Sequence, residues 1–342
     1  MGFFPLDEQL EIREKHWSEE VSKLSVWLSG LVAFETAAEI LERVGGVHIS
    51  GSSVWHRSQK WGEALRKEGE RIKKAAQEVE LHNGVVPGEV QCEQRMGVSM
   101  DGAMMNIREE GWKEFKVGVL FEVVEDVKME KETQEEVEVA RALNNTYVAH
   151  LGGPEDFGYK LWAEAQRRWW TQAADTQVVA DGAAWIWNLV REHFYDSQQI
   201  VDWYHAKQHL CRAAELLHGK DTAAMQRWLS VQETALFQGH AGNIATSLYQ
   251  HAARTHDEAL RQEAGYFEHH QHRMDYLEMR IQRWVIGSGS VESGAKQFKS
   301  RLTGSGMRWS RQGAERMLPI RSAILGHRFD HLWQVVYNSP PN

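Results

Sequence analysis

Three acidic residues stand in settings suited to metal chemistry: Asp101 in Gly97-Val-Ser-Met-Asp-Gly102, Asp181 in Val178-Val-Ala-Asp-Gly182, and Glu292 in Gly287-Ser-Gly-Ser-Val-Glu-Ser293. Both aspartates end short apolar runs that read as buried strands, and the glutamate opens a helix inside a basic segment. Carboxylates converging from separate elements can hold two divalent cations, and paired cations suit phosphoryl transfer on nucleic acid. Each residue also has a plainer reading. Asp-Gly is a strong hairpin signal. An aspartate ahead of Ala183-Ala-Trp-Ile-Trp187 can cap a helix, and a glutamate in a first turn favours the positive helix end.

Asp202-Trp-Tyr-His205 follows 21 residues after Asp181, at the close of another apolar run. His205 could contact a phosphate or assist proton transfer, with Asp202 orienting it. An ordinary strand-to-helix junction is the competing explanation. The histidines of Glu268-His-His-Gln-His272 lie in polar helical surroundings and read as a solvated face, so no metal is assigned to them.

Positioning these groups calls for a mixed α/β architecture. Residues 96–105, 115–124, 146–151, 177–180 and 199–203 read as strands, and 154–170 and 183–194 as helices. The acidic stretch 125–140 reads as an exposed loop. Residues 206–280 are helix-like throughout, in pieces 210–217, 223–236, 244–253 and 256–277. Sites in such sheets gather at the carboxyl ends of strands. That seats Asp101 within or at the end of the first strand and Asp181 at the end of the fourth, with the two strands adjacent.

Ahead of the strands, residues 7–30 have helical composition, and an amphipathic helix from Val32 is stopped by Gly45-Gly46. Ser50-Gly-Ser-Ser53 then opens another helix, with Val54, Trp55 and Trp61 on its buried side and Ser52, Ser53, His56, Arg57 and Lys60 outward. This is the outline of a helix-turn-helix whose outward side chains can reach bases and phosphates; a helical hairpin without that role has the same outline. His82-Asn-Gly-Val-Val-Pro-Gly88 reads as a linker. The expected organisation is a helical region over 1–85, a core over 90–205, a helical insertion over 206–280 and closing helices over 281–335.

No stretch of the 342 residues approaches the roughly 20 apolar positions that span a bilayer. Cys92 and Cys211 are too few for a disulfide framework, so a cytoplasmic setting without a membrane partner is expected. Fifteen tryptophans suit core packing, with nucleotide stacking the competing use of Trp169, Trp170, Trp185 and Trp187 around the second aspartate. A net charge of −9 argues against nucleic acid until its distribution is considered. Residues 108–140 hold eleven acidic and five basic side chains, whereas 281–342 hold nine basic against three acidic. The positive segment is the one carrying Glu292, so charge permits a DNA partner.

Ser99-Met-Asp-Gly102, Val179-Ala-Asp-Gly182, Asp202-Trp-Tyr-His-Ala-Lys-Gln-His-Leu210 and Gly287-Ser-Gly-Ser-Val-Glu-Ser-Gly294 together resemble bacterial insertion-sequence transposases with an RNase H-like DDE core, related to the Mutator superfamily and of ISKra type. Lys296-Gln-Phe-Lys-Ser-Arg-Leu302 and Gly306-Met-Arg-Trp-Ser-Arg-Gln-Gly-Ala-Glu315 resemble the closing segment of that group. The likeness spans about residues 30–335, and the Asp202/His205 pair and the Gly-Ser-Val-Glu-Ser run are its most specific parts.

The resemblance implies an RNase H-like mixed sheet, with Asp101, Asp181 and Glu292 holding two Mg²⁺ or Mn²⁺ ions and Asp202 and His205 matching the (Cys/Asp)-x-x-His signature. It implies cleavage and strand transfer of DNA at element ends and target, self-association on DNA, and a nucleoid-associated location when bound. Lys296, Lys299, Arg301, Arg308 and Arg311 would hold phosphates beside the site, with Arg or Trp309 stacking on a splayed base as one use and core packing of Trp309 as the other. Relatives often carry a longer N-terminal part. A shortened copy that binds DNA silently, or a metal-dependent nuclease without strand transfer, are the rival expectations.

Overall fold

The computed structural model describes residues 17–83, 92–129 and 136–337. The start of the first expected helix and most of the expected linker fall outside them. Among the described residues three helices come first: α1 (Glu19–Leu31), α2 (Phe34–Gly45) and α3 (Gly51–Asn83). Gly46 adopts a left-handed φ of 64°, and its N–H bonds back to Glu42, which is how the expected glycine pair ends α2. The buried side of α3 differs from expectation at Trp55. Val54 and Trp61 are buried, but Trp55 is 40% exposed.

A five-stranded sheet follows, in the order β3-β2-β1-β4-β5. Its strands are β1 (Cys92–Ile107), β2 (Gly111–Met129), β3 (Glu136–His150), β4 (Ala173–Ala180) and β5 (Gln198–Val201). The first three form an antiparallel meander, while β4 and β5 run parallel to β1. This is the mixed, RNase H-like sheet expected.

The central strands are apolar on both faces because helices cover both. Gly118 of β2 faces Leu161 and Phe157 of α4 (Pro154–Arg167). Phe115, on the opposite face by strand alternation, meets Phe298 of α11 (Gly289–Leu302). Between β4 and β5 lies α5 (Ala184–His193). Helices α6 (Trp203–His218), α7 (Ala223–Phe237), α8 (Ala241–Thr255), α9 (Glu258–His270) and α10 (Tyr276–Ile281) form the expected all-helical stretch. The single helix expected over 256–277 is thus divided by a 3-10 turn at Gln271–Arg273. Helices α12 (Arg311–Leu325) and α13 (Phe329–Tyr337) close the chain.

Two strand expectations need correction. Asp101-Gly102 is not a hairpin turn: β1 continues to Ile107 and turns at 108–110, with Asp101 paired to Val117 in mid-strand. The acidic stretch is not wholly a loop either. Residues 125–129 and 136–140 extend β2 and β3 as a two-stranded ribbon, Glu125 pairing with Ala140 and Met129 with Glu136. The alternation Glu136-Val-Glu-Val139 carries the period of two that such a ribbon requires.

Helix α3 packs closely on α12. A Cβ added to Gly62 would lie 2.2 Å from the Arg316 carbonyl oxygen, whereas one added to Gly69 on the same helix meets nothing within 4 Å. Gly62→Ala therefore costs about 1–3 kcal/mol through forced helix separation. Gly69→Ala gains up to about 1 kcal/mol by removing backbone freedom from the unfolded chain. Denaturant unfolding of both variants checks this, and equal midpoints would refute the close-approach account.

Candidate active site

Strand register sets the site. Val98 of β1 pairs with Val178 of β4, and Ala180 of β4 pairs with Val201 of β5. Continuing those registers brings Asp101, Asp181 and Asp202 to one level across three adjacent strands, which lie about 4.8 Å apart. The Asp202 N–H donates to the Ala180 carbonyl at 2.8 Å, which fixes that level just beyond the two parallel strands.

The segment before α11 is fastened to the same end. Buried Gln177 donates through Nε2 to the Val285 carbonyl at 2.8 Å and accepts from the Val285 N–H at 3.0 Å. The Trp203 N–H donates to the Ile286 carbonyl at 2.9 Å, and the Ser288 N–H donates to Asp202 Oδ2. Helix α11 starts one residue later, so Glu292 falls in its first turn, with Ser288 Oγ 3.3 Å from Glu292 Oε1.

Asp202, His205 and Glu292 each offer a ligand atom within 4.8 Å of the others. Asp202 is fully buried and both of its oxygens are already engaged. Oδ1 accepts from the His205 N–H at 2.7 Å and faces His205 Nδ1 at 3.2 Å, while Oδ2 takes Ser288. Its role is to position, by capping α6 and orienting the His205 ring.

Asp101 and Asp181 lie outside that tight trio. Asp101 Oδ1 accepts from the Gly102 N–H at 2.7 Å, and Asp181 Oδ1 accepts from the Ala183 N–H at 2.9 Å, just ahead of α5. Burial pushes the Asp101 carboxyl above its ordinary value and Asp181 adds to it, against the Gly102 N–H, Lys299 and His205. Two carboxylates that repel at the edge of a core, with hard oxygen donors, fit a divalent cation such as Mg²⁺ or Mn²⁺.

The cationic residues separate into two groups. Lys296 and Lys299 are exposed on α11, with Lys296 Nζ 3.9 Å from Glu292 Oε2, and Arg308 is exposed after it. Arg301 does not join them on that face. It is 2% exposed, donates through Nε to the Ser29 carbonyl at 2.7 Å and sits over the Phe34 and Trp309 rings. Arg311 forms two bonds to Glu110, at 2.7 and 2.6 Å. Trp309 is a core residue, its Nε1 donating to the Leu302 carbonyl.

On α3, Ser52, His56 and Lys60 are exposed, Ser53 is half-buried and bonded to Ser50, and Arg57 lies 4.5 Å from the Trp17 ring centroid. Of the histidine run, His269 and His272 are exposed, but His270 is buried against Arg273. The tryptophans around the second aspartate also divide, Trp170 and Trp187 being buried and Trp169 exposed.

Sequence reasoning assigned no role to Ser288 or Tyr266. The only hint of Ser288 was its place in a glycine-serine run ahead of a helix. The Tyr266 ring would meet a Cβ at Gly182, directly after Asp181, at 2.4 Å, and its buried hydroxyl has no hydrogen-bond partner among the described residues.

No protein-family model and no curated protein matches the chain. Among solved structures it is similar to the Drosophila P element transposase strand transfer complex, at 10% sequence identity and a TM-score of 0.30, over 96% of this chain and 83% of that one.

The Asp202–His205 contact has a pH signature. The hydrogen bond to Asp202 raises the His205 pKa, with burial opposing and the Asp202, Asp181 and Glu292 charges assisting. Burial pushes Asp202 up, but the bonds from His205 and Ser288 outweigh it and hold Asp202 below its ordinary value. Stabilisation from a raised histidine is lost as pH rises through the folded value, and that from a depressed carboxylate is lost as pH falls through its own. The pair therefore stabilises most between about pH 4 and 6.5. In metal-free protein, NMR titration should place the His205 midpoint above about 6.5. Asp202→Asn should lower it, and an unchanged midpoint would dissociate the two residues.

Proposed function

We propose that the chain is a metal-dependent polynucleotidyl transferase acting on DNA, a transposase that cuts element ends and joins them to target DNA. The observation that carries this reading is the common level of Asp101, Asp181 and Asp202 across β1, β4 and β5, with Glu292 fastened to the same end through Ser288. The motif resemblance supplies the transposase assignment; the geometry supplies a reason for the spacing.

Asp101, Asp181 and Glu292 would hold two divalent cations, which when bound stabilise the entering and leaving oxygens of an in-line displacement at phosphorus. Asp202 keeps the α11 segment and the His205 ring in place. His205, half-buried and biased towards its charged form by Asp202, faces the carboxylates and can donate a proton or hydrogen bond to a phosphate oxygen. Lys296 and Lys299 extend the exposed face of α11 beside them and would take the phosphates of the bound strand. Helix α3 would supply a second contact through Ser52, His56 and Lys60, with self-association on DNA bringing two ends together.

Asp101→Asn, Asp181→Asn and Glu292→Gln should each cut Mg²⁺-dependent strand cleavage by more than about 100-fold, beyond the cost of losing a mere supporting partner of a metal ligand. DNA affinity in a chelator should change little. A variant that nicks end DNA at the wild-type rate removes that residue from the site. Wild-type protein that binds ends but never nicks them with Mg²⁺ or Mn²⁺ favours a silent DNA-binding protein, and nicking without joined products favours a nuclease.

A further inference from the structure

Away from the carboxylates, a cleft of about 470 Å³ opens between the start of α3 and the segment joining α11 to α12. That volume is in the range of roughly 300–1,000 Å³ typical of pockets for small organic ligands. Its floor is Arg301, whose guanidinium lies 5.1 Å from the ring centroids of both Phe34 and Trp309. Nε of Arg301 points inward to the Ser29 carbonyl, while Nη2 is buried with no hydrogen-bond partner among the described residues. Burial lowers the Arg301 pKa to about 10, so the side chain stays charged at neutral pH.

Two further cations stand at the rim. Arg108 and Arg308 are both exposed, and the Arg108 Nε donates to the Arg308 carbonyl at 3.3 Å, which holds the two segments together. Two helix N-termini reach the same cleft: Gly51 and Ser52 open the 33-residue α3, and Ser310 caps the 15-residue α12. The Ser53 and Gly313 N–H groups are taken by Ser50 Oγ and Ser310 Oγ, and the dipoles of the two helices favour an anion at this end. Against these, Glu35 is the single carboxylate in the lining. The apolar wall is the exposed Trp55, whose indole the helix pattern would have buried.

We infer that this cleft binds one unpaired nucleotide of a DNA strand. Its phosphate meets Arg108 and Arg308 above the buried charge of Arg301, and its base lies on Trp55. A buried arginine with an unused donor, two rim arginines and an open indole together suit a nucleotide better than a simple anion, which needs no aromatic wall. The inference deepens the DNA reading and rests on it only for the choice of a strand over a free nucleotide, since Ser52 belongs to a surface assigned to DNA there.

The test uses the full chain in chelator, so that failure of cleavage leaves it untouched. A single-stranded oligonucleotide of about twelve residues carrying 2-aminopurine reports both affinity and stacking. Binding should quench the fluorophore. Trp55→Ala should weaken binding about tenfold and abolish the quench, and Trp55→Phe should restore both. Arg308→Ala should weaken binding and reduce the salt slope by about one. Full affinity and quench in Trp55→Ala would overturn the site. A mononucleotide that competes as well as the strand would overturn the strand assignment and move the cleft to free nucleotides.

Discussion

The arrangement depends on one buried carboxylate. Asp202 has no exposure to solvent, and in that setting an ionised group persists only if its lone pairs are satisfied. It is satisfied by the backbone and ring of His205 on one side and the Ser288 backbone on the other. Those two partners lie on opposite sides of a helical stretch running from α6 to α10. The carboxylate therefore bridges that stretch, returning the chain to the sheet after five helices. Gln177 repeats the device one strand earlier by clamping Val285 with both faces of its amide.

This fastening brings a glutamate far along the chain beside Asp202 and His205. The sheet alone brings Asp101 and Asp181 together, because parallel pairing of β1 and β4 fixes their level. Glu292 is on a helix and has no register with any strand. Its position follows from the Ser288 anchor, and from the fit of Gly294 against the Tyr147 ring, where a Cβ would lie 2.3 Å away. Asp202 and Asp101 thus stand in different settings. One has both oxygens engaged within the protein, while the other is pushed up by burial and by the neighbouring Asp181.

Charge distribution has a different meaning in three dimensions. The basic excess of 281–342 looked like a DNA face, yet most of its arginines work within the protein. Arg301 and Arg321 are buried and bond to carbonyls of α1, Ser29 and Gly30 respectively. Arg328 pairs with Glu164, Arg316 with Glu63, Arg311 with Glu110, and Arg283 with the acidic ribbon at Glu125 and Glu138. What remains outward is a narrow strip, Lys296, Lys299 and Arg308.

The sequence by itself determined the local elements and the chemical candidates. Apolar runs ending in Asp101, Asp181 and Asp202, the glycine stop at Gly46 and the serine-rich opening of α3 were legible because period and capping are properties of neighbouring residues. The alternation in the acidic stretch was equally available and marks a ribbon rather than a loop. Only the tertiary structure decided which charges are internal and which are presented, because burial depends on partners distant in the chain. Arg301 and Lys299 are two residues apart on one helix; one lies beneath Phe34 and Trp309, the other sits in the field of Asp101. The same holds for Trp55, left exposed beside a cleft, and for Asp202, whose two hydrogen-bonded oxygens distinguish it from the aspartates it resembles in sequence.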